Sequence, residues 1–293
     1  MFWLQCFRRP AAMEVVVQEE PSSPGMAGFP KSCIASILRL TTPRDVARLA
    51  CVSRVFRDAS HSDSVWQAML PPFYEGILAQ APNAPAPTSS KKKIYDFLTS
   101  PIRLANGTQD VWLDRGTGGV CRSIGARGMY VTWGDDQRYW SWIELEGSRF
   151  PEVAYLIQVC WLEIRGSMQC FLPPGTYNVS WRLSFSTNDF KGFNYTPVNF
   201  SVEGPNHVPV HAKRDFTTPG ITIGERGKPP LWTWSRDNKW VELDVGEFTV
   251  EEQDSPVDIK FAMVNIDGGY WKSGMFLDSV LIRPSAVQAT NRN

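Results

Sequence analysis

A chain of 293 residues with 30 Lys+Arg against 30 Asp+Glu has room for two ordinary domains and no net field to draw it to nucleic acid or an anionic membrane. No apolar run approaches the roughly 18 residues of a membrane helix. The six cysteines show no C-x-x-C spacing, which excludes the compact zinc and redox motifs built on it.

We read Cys6, Cys33, Cys51, Cys121, Cys160 and Cys170 as reduced thiols, with a Cys160–Cys170 bridge across a hairpin as the alternative. Met1–Phe7 is apolar but short, and Arg8 and Arg9 follow it instead of preceding it, unlike a secretory signal. The expected location is cytoplasm or nucleus. There the sequons at Asn106, Asn178, Asn194 and Asn199 would stay unglycosylated.

In chain order, residues 1–27 form a Pro-, Ser-, Glu- and Ala-rich tail expected to be disordered. Helical spacing begins after Phe29–Pro30, with Ile34, Ile37 and Leu38 on one face. Thr42, Pro43 and Asp45 write the start of a second helix: a cap, a proline where no N–H is needed, and an acid at the positive end of the dipole. That helix presents Val46, Leu49 and Ala50. Val52, Val55 and Phe56 follow, then a last turn capped by Ser62 or Asp63 that carries Val65, Trp66, Met69 and Leu70 before Pro71–Pro72. These short helices in about 45 residues make a core too small to be comfortable alone. Their apolar face therefore fits either a partner's surface or a cap on the following domain.

Residues 73–107 read as a Pro/Ala/Lys linker, semi-extended over 79–92, with a short helix at Ile94–Leu98. Lys91–Lys93 is either a weak nuclear signal or the solvated start of that helix. From 108 to 284 the period is two, and the region holds all the tryptophans except Trp3 and Trp66. Tyr177, Val179, Trp181, Leu183 and Phe185 alternate with polar residues, residues 153–165 are nearly continuously apolar, and Ile259, Phe261 and Met263 alternate again. Glycine-rich turns separate the runs. The fold expected is modular α+β: a small all-α unit, then an all-β antiparallel sandwich of jelly-roll type, then a tail at 285–293.

The phosphate-binding, nucleophile-elbow and zinc-protease motifs are absent from the sequence. His207 and His211 are four apart, but Pro205 and Pro209 forbid the helix that would align them, and no third ligand is evident. Asp135 and Asp136 with Glu144 and Glu146 have the makings of a glycosidase acid/base pair, though a Gly-Asp-Asp run is first of all a solvated turn. We assign no catalytic residue, no metal and no cofactor. The aromatic density peaks between Met129 and Ile143, where Trp133 precedes a turn and Trp140 and Trp142 share a strand face. Indole faces beside short polar groups suit a sugar, and core packing is the alternative. Nucleic-acid stacking would need a basic groove, and this stretch offers only Arg138, with Arg127 just before it.

Two resemblances sharpen these expectations. Residues 28–72 resemble an F-box: Phe29–Pro30 stands where that family usually has Leu-Pro, and Ile34, Ile37, Leu38, Leu40, Asp45, Leu49, Val52, Ser53, Phe56 and Trp66 follow its pattern. Residues 109–284 resemble the plant phloem-protein, or Nictaba-like, lectin domain. That match runs through Trp112-Leu-Asp, Thr132-Trp133, Tyr139-Trp140-Ser-Trp142, Trp161-Leu-Glu-Ile, Pro174-Gly-Thr-Tyr177, Trp240-Val-Glu-Leu, Trp271-Lys-Ser-Gly274 and Ile282-Arg-Pro284. Together they imply a plant F-box lectin: a non-enzymatic substrate receptor of a cullin-type ubiquitin ligase. Pro30, Ile34, Leu38, Leu49, Phe56 and Trp66 would hold a Skp-type adaptor. The resemblance puts the sugar site on Trp133 and Trp140, with N-glycans or GlcNAc-containing glycoproteins as ligands and Trp271-Lys-Ser-Gly274 as a possible second wall. The long segment 186–238 leaves the glycan open. A receptor that reads protein surface through a degenerate sugar site is the rival reading.

Overall fold

The computed structural model describes residues 28–217, 222–225, 232–233, 240–251 and 255–285. Helices α1 (Lys31–Leu38), α2 (Pro43–Val52), α3 (Arg54–Ser60) and α4 (Asp63–Gln67) form the first unit. Thr42 accepts from the Asp45 amide and Ser53 from the Phe56 amide, so two of the helix starts are capped by the side chains the sequence supplies. Ile34, Leu38, Val46, Phe56, Val65 and Trp66 are buried together.

The expected linker turns out to be structure. Helices α5 (Tyr74–Gln80) and α6 (Lys91–Leu98) bury Tyr74, Ile77, Ile94, Tyr95 and Leu98. The start of α6 is tied back by the Lys91 amide to Asp63, 2.8 Å away. Tyr95 packs on Trp66 with ring centroids 5.0 Å apart, and Phe73 stacks on Phe171 of the β domain at 5.6 Å. The short helix expected over Ile94–Leu98 is present as the end of α6; α5, set among prolines and alanines, is what composition hid. The Lys91–Lys93 run is the first turn of α6, with Ser90 accepting from the Lys93 amide.

The β domain begins at β1 (Ile102–Leu104), earlier than expected, paired with β2 (Gln109–Leu113). Sheet one continues through β3 (Val120–Gly125) to β15 (Met275–Pro284). On the β3 side, β15 also meets β6 (Val153–Leu156), which pairs with β5 (Trp140–Ile143). Its other edge carries β8 (Gly175–Phe185) and then β13 (Val241–Val250). Sheet two runs β12 (Trp232–Thr233), β11 (Thr222–Gly224), β10 (Pro209–Thr217), β9 (Val198–Glu203), β14 (Val257–Asn265), β7 (Leu162–Cys170), β4 (Tyr130–Val131). The inner faces meet at Trp181, whose ring lies 5.8 Å from Phe200 and 5.9 Å from Phe261.

One local expectation fails, and one alternative is excluded. Residues 153–165 are not one strand: β6 and β7 lie in different sheets and residues 157–161 cross between them. Cys160, just before β7, and Cys170, at its end, do not face each other across a hairpin; both are free thiols, which agrees with the reduced reading and not with the alternative bridge. Across the sandwich, β7 and β15 run toward the helical module and β8 runs away from it. The loops after β2 and β7 therefore face the helices, where Gly118 approaches Pro43. The loops after β4, β6, β8 and β14 face the opposite end. β7 alone separates the two ends by about 30 Å over its nine residues.

Candidate functional site

The end remote from the helices is sewn together by backbone bonds between loops. The Tyr139 carbonyl accepts from the Ile157 amide at 2.9 Å, joining the loops after β4 and β6. Val159 and Lys272 exchange bonds of 2.9 and 2.7 Å, joining the loops after β6 and β14. Lys191 and Ser273 exchange bonds of 3.2 and 3.1 Å, adding the loop after β8. Gly192 and Gly274 allow this seam. Both have φ near +80°, and a Cβ on Gly192 would meet the Trp271 carbonyl while one on Gly274 would meet the Asp189 backbone. Lys272 is buried at the crossing, its ammonium 2.8 Å from the Cys160 carbonyl, and burial pushes its pKa down.

Exposed apolar side chains concentrate on this seam: Trp133, Ile157, Trp161, Tyr195, Tyr270 and Trp271. Tyr195 and Tyr270 stack at 4.2 Å from different loops. Trp133 is 44 % exposed, leans on Tyr139 with centroids 5.1 Å apart, and sits at φ +58°. Asp136 turns the loop behind it. That carboxylate is bound by Arg138 at 2.6 Å, and hydrogen bonds from the Arg138 side chain and amide hold its pKa down to about 2. It is thereby unsuited to donate a proton as a glycosidase acid. Trp161 donates to Glu163 at 2.7 Å, and Glu163 also holds Arg165.

Trp140 does not stand beside Trp133 as a ligand surface. It is 1 % exposed, and its indole N–H donates to the Thr132 carbonyl at 3.1 Å. Trp142, half-buried, donates to the Gly134 carbonyl at 2.8 Å. The two indoles bracket residue 133 from both sides and fix its turn. Alternation along one strand cannot tell an indole facing a core from one facing a ligand, since both look apolar. Trp271, from the segment expected as a second wall, is exposed on the same seam. The signal for Tyr195 and Tyr270 lay in the weakly patterned segment 186–238 and in a glycine-rich turn, where period carries no information. Among the described residues no group of His, Cys, Asp and Glu could hold a metal. His207 instead bonds to Glu203 at 3.2 Å.

A second correction concerns the helical module. Of the residues expected to meet an adaptor, Ile34, Leu38, Phe56 and Trp66 are buried in its own core and Leu49 is partly buried, while Pro30 is exposed. Of the stripe Ile34, Ile37 and Leu38, only Ile34 and Leu38 pack inward, and Ile37 faces out. The apolar residues left on the outside are Phe29, Ile37, Leu40 and Val52, with Leu40 74 % exposed.

Comparison with known proteins matches both modules. A family model described as phloem protein 2 covers residues 119–284, and an F-box-like model covers residues 27–71. "F-box protein PP2-A15" of Arabidopsis thaliana is 35 % identical over 89 % of this chain and 89 % of its own length. "F-box protein PP2-A12" of the same plant is 32 % identical over 90 % and 89 %. Among solved structures, CBM35 from Paenibacillus barcinonensis overlaps 56 % of this chain and 98 % of its own at 12 % identity, with a TM-score of 0.31. That value is too low to argue from.

Proposed function

The chain belongs to the phloem protein 2 family, in the branch that carries an N-terminal F-box, and from that premise we propose that it is the substrate-recognition subunit of a cullin-type ubiquitin ligase whose sandwich binds GlcNAc-containing glycoproteins or N-glycans. Its F-box takes a Skp-type adaptor through Pro30, Phe29, Ile37, Leu40 and Val52, the apolar side chains the module leaves uncovered. Trp133 is the face on which a pyranose stacks, Trp140 its support, and Trp271 a facing wall. The chain performs no chemistry of its own and works in the cytoplasm or nucleus. One observation carries the reading: exposed aromatics from four loops gather at the end of the sandwich opposite the F-box. A single sugar contact is weak, and a millimolar Kd amounts to about −4 kcal/mol. Holding adaptor and target on one chain makes delivery intramolecular, so such affinity suffices.

The test is a glycan array with the full chain beside Trp133→Ala and Trp271→Ala. The expected result is at least a tenfold loss for each variant with its near-UV circular dichroism unchanged. The burial of Trp140 favours one second reading, a receptor of protein surface whose sugar site is degenerate. Wild-type chain that captures a ubiquitylation target while binding no glycan would replace the first reading with the second.

A further inference from the structure

The outer face of sheet two carries a trough that the loop-end site leaves unused. Five residues stand opposite one another across five strands: Tyr130 on β4, Arg165 on β7, Ala262 on β14, Ser201 on β9 and His211 on β10. At the usual strand spacing the row is about 19 Å long. Its middle is low. Ala262 is only 5 % exposed, and Ser201 beside it is small. Its ends are tall: Tyr130 is 65 % exposed, and His211 stands at the far side. The space between is a cavity of about 490 Å³.

The next row along the same face, Ser167, Lys260, Glu203 and Pro209, lines one side. Its charges are already matched. Lys260 reaches Glu203 at 2.9 Å, Glu203 also takes His207, and Arg165 reaches Glu163 at 2.6 Å. The lining's one further charge is the carboxylate of Asp258, so an anion finds no surplus of positive charge there. The trough still offers donors and acceptors held in fixed directions beside a flat, solvent-facing ring. That combination fits a ligand with an apolar C–H face and many hydroxyls. A peptide added as an extra strand would pair along an edge, such as that of β10 at Pro209–Arg214, and would leave the face of the sheet where the trough lies unfilled.

We propose that this trough is a second saccharide site, distinct from the loop end, which takes a neutral oligosaccharide lying across β7, β14 and β9 with one sugar ring on Tyr130. The experiment is calorimetric titration of the full chain with a GlcNAc tetramer, a mannose-type N-glycan and a galactose-type N-glycan. It compares wild type, Trp133→Ala, and Trp133→Ala combined with Tyr130→Ala or with Ser201→Arg, both of which point outward from the sheet. The expected result is that Trp133→Ala still binds one of these glycans at one per chain. Each added trough substitution then weakens that residual binding at least tenfold with unchanged circular dichroism. Residual binding indifferent to both substitutions, or no binding left in Trp133→Ala, overturns the proposal. Loss on trough substitution without any effect of Trp133→Ala would keep the trough and remove the loop-end assignment instead. An unglycosylated peptide that binds the wild type and is blocked by Ser201→Arg overturns the saccharide assignment.

Discussion

Trp133 combines two features that rarely coincide: a large exposed ring and a left-handed backbone, at φ +58°. A non-glycine residue there stores about 1–3 kcal/mol of strain, which the bonds from Trp140 and Trp142 to the flanking carbonyls hold in place. Trp133→Gly is therefore expected to leave urea stability equal or higher by about 1 kcal/mol while glycan binding falls at least tenfold. Trp140→Ala is expected to lose about 3–5 kcal/mol of stability, so denaturation curves separate the two tryptophans. The Asp136–Arg138 pair adds a pH signature. A carboxylate held down to about 2 contributes its stabilisation above the ordinary range near 4 and loses it as pH falls through 2. Loop-end tryptophan fluorescence should stay flat from pH 7 to 4 and change only below about 3. A transition centred at pH 4 or above would mean that Arg138 does not hold Asp136 in solution.

At the scale of elements, the contrast lies between strands and loops. β8 was legible because Tyr177 to Phe185 alternate without interruption and bury their apolar side chains against sheet two. The first two helices were legible from Thr42 and the Ile34–Leu38 stripe. The loop platform was not, since it depends on Val159 meeting Lys272 and Lys191 meeting Ser273 across long separations. The direction of Trp140 was equally hidden, because β5 and β4 belong to different sheets. Buried charge also joins elements. Asp278 on β15 accepts from the Arg149 and Phe150 amides and from Arg182 on β8, and burial pushes its pKa up. Asp278→Ala leaves the Arg182 Nε–H and two amides without their acceptor, while Arg182 keeps Glu242 and the Gly147 carbonyl, and a loss of about 1–3 kcal/mol is expected by chemical denaturation. Gly274→Ala should loosen the loop end and weaken glycan binding, with the packing of Gly118 against Pro43 at the helical end unaltered.

For the whole molecule, the apolar core runs from α1 through α6 into both sheets without a break. One cooperative unfolding transition is expected in calorimetry, and residues 108–284 alone should melt lower than the full chain, because α6 and β1 are cut away with their buried Ile94, Tyr95 and Ile102. Two separate transitions would contradict this coupling. Leu40→Asp and Val52→Asp, on the exposed face of the F-box, should abolish adaptor capture while the melting temperature holds. Ile34→Asp should fail by unfolding. Because α5, α6 and β1 replace a flexible tether, the sandwich behaves as a strut about 30 Å long. Whatever rests on its far end is held at a set distance and bearing from the ligase, so a target's own size and shape, rather than the play of a linker, would decide which of its lysines comes within range of modification.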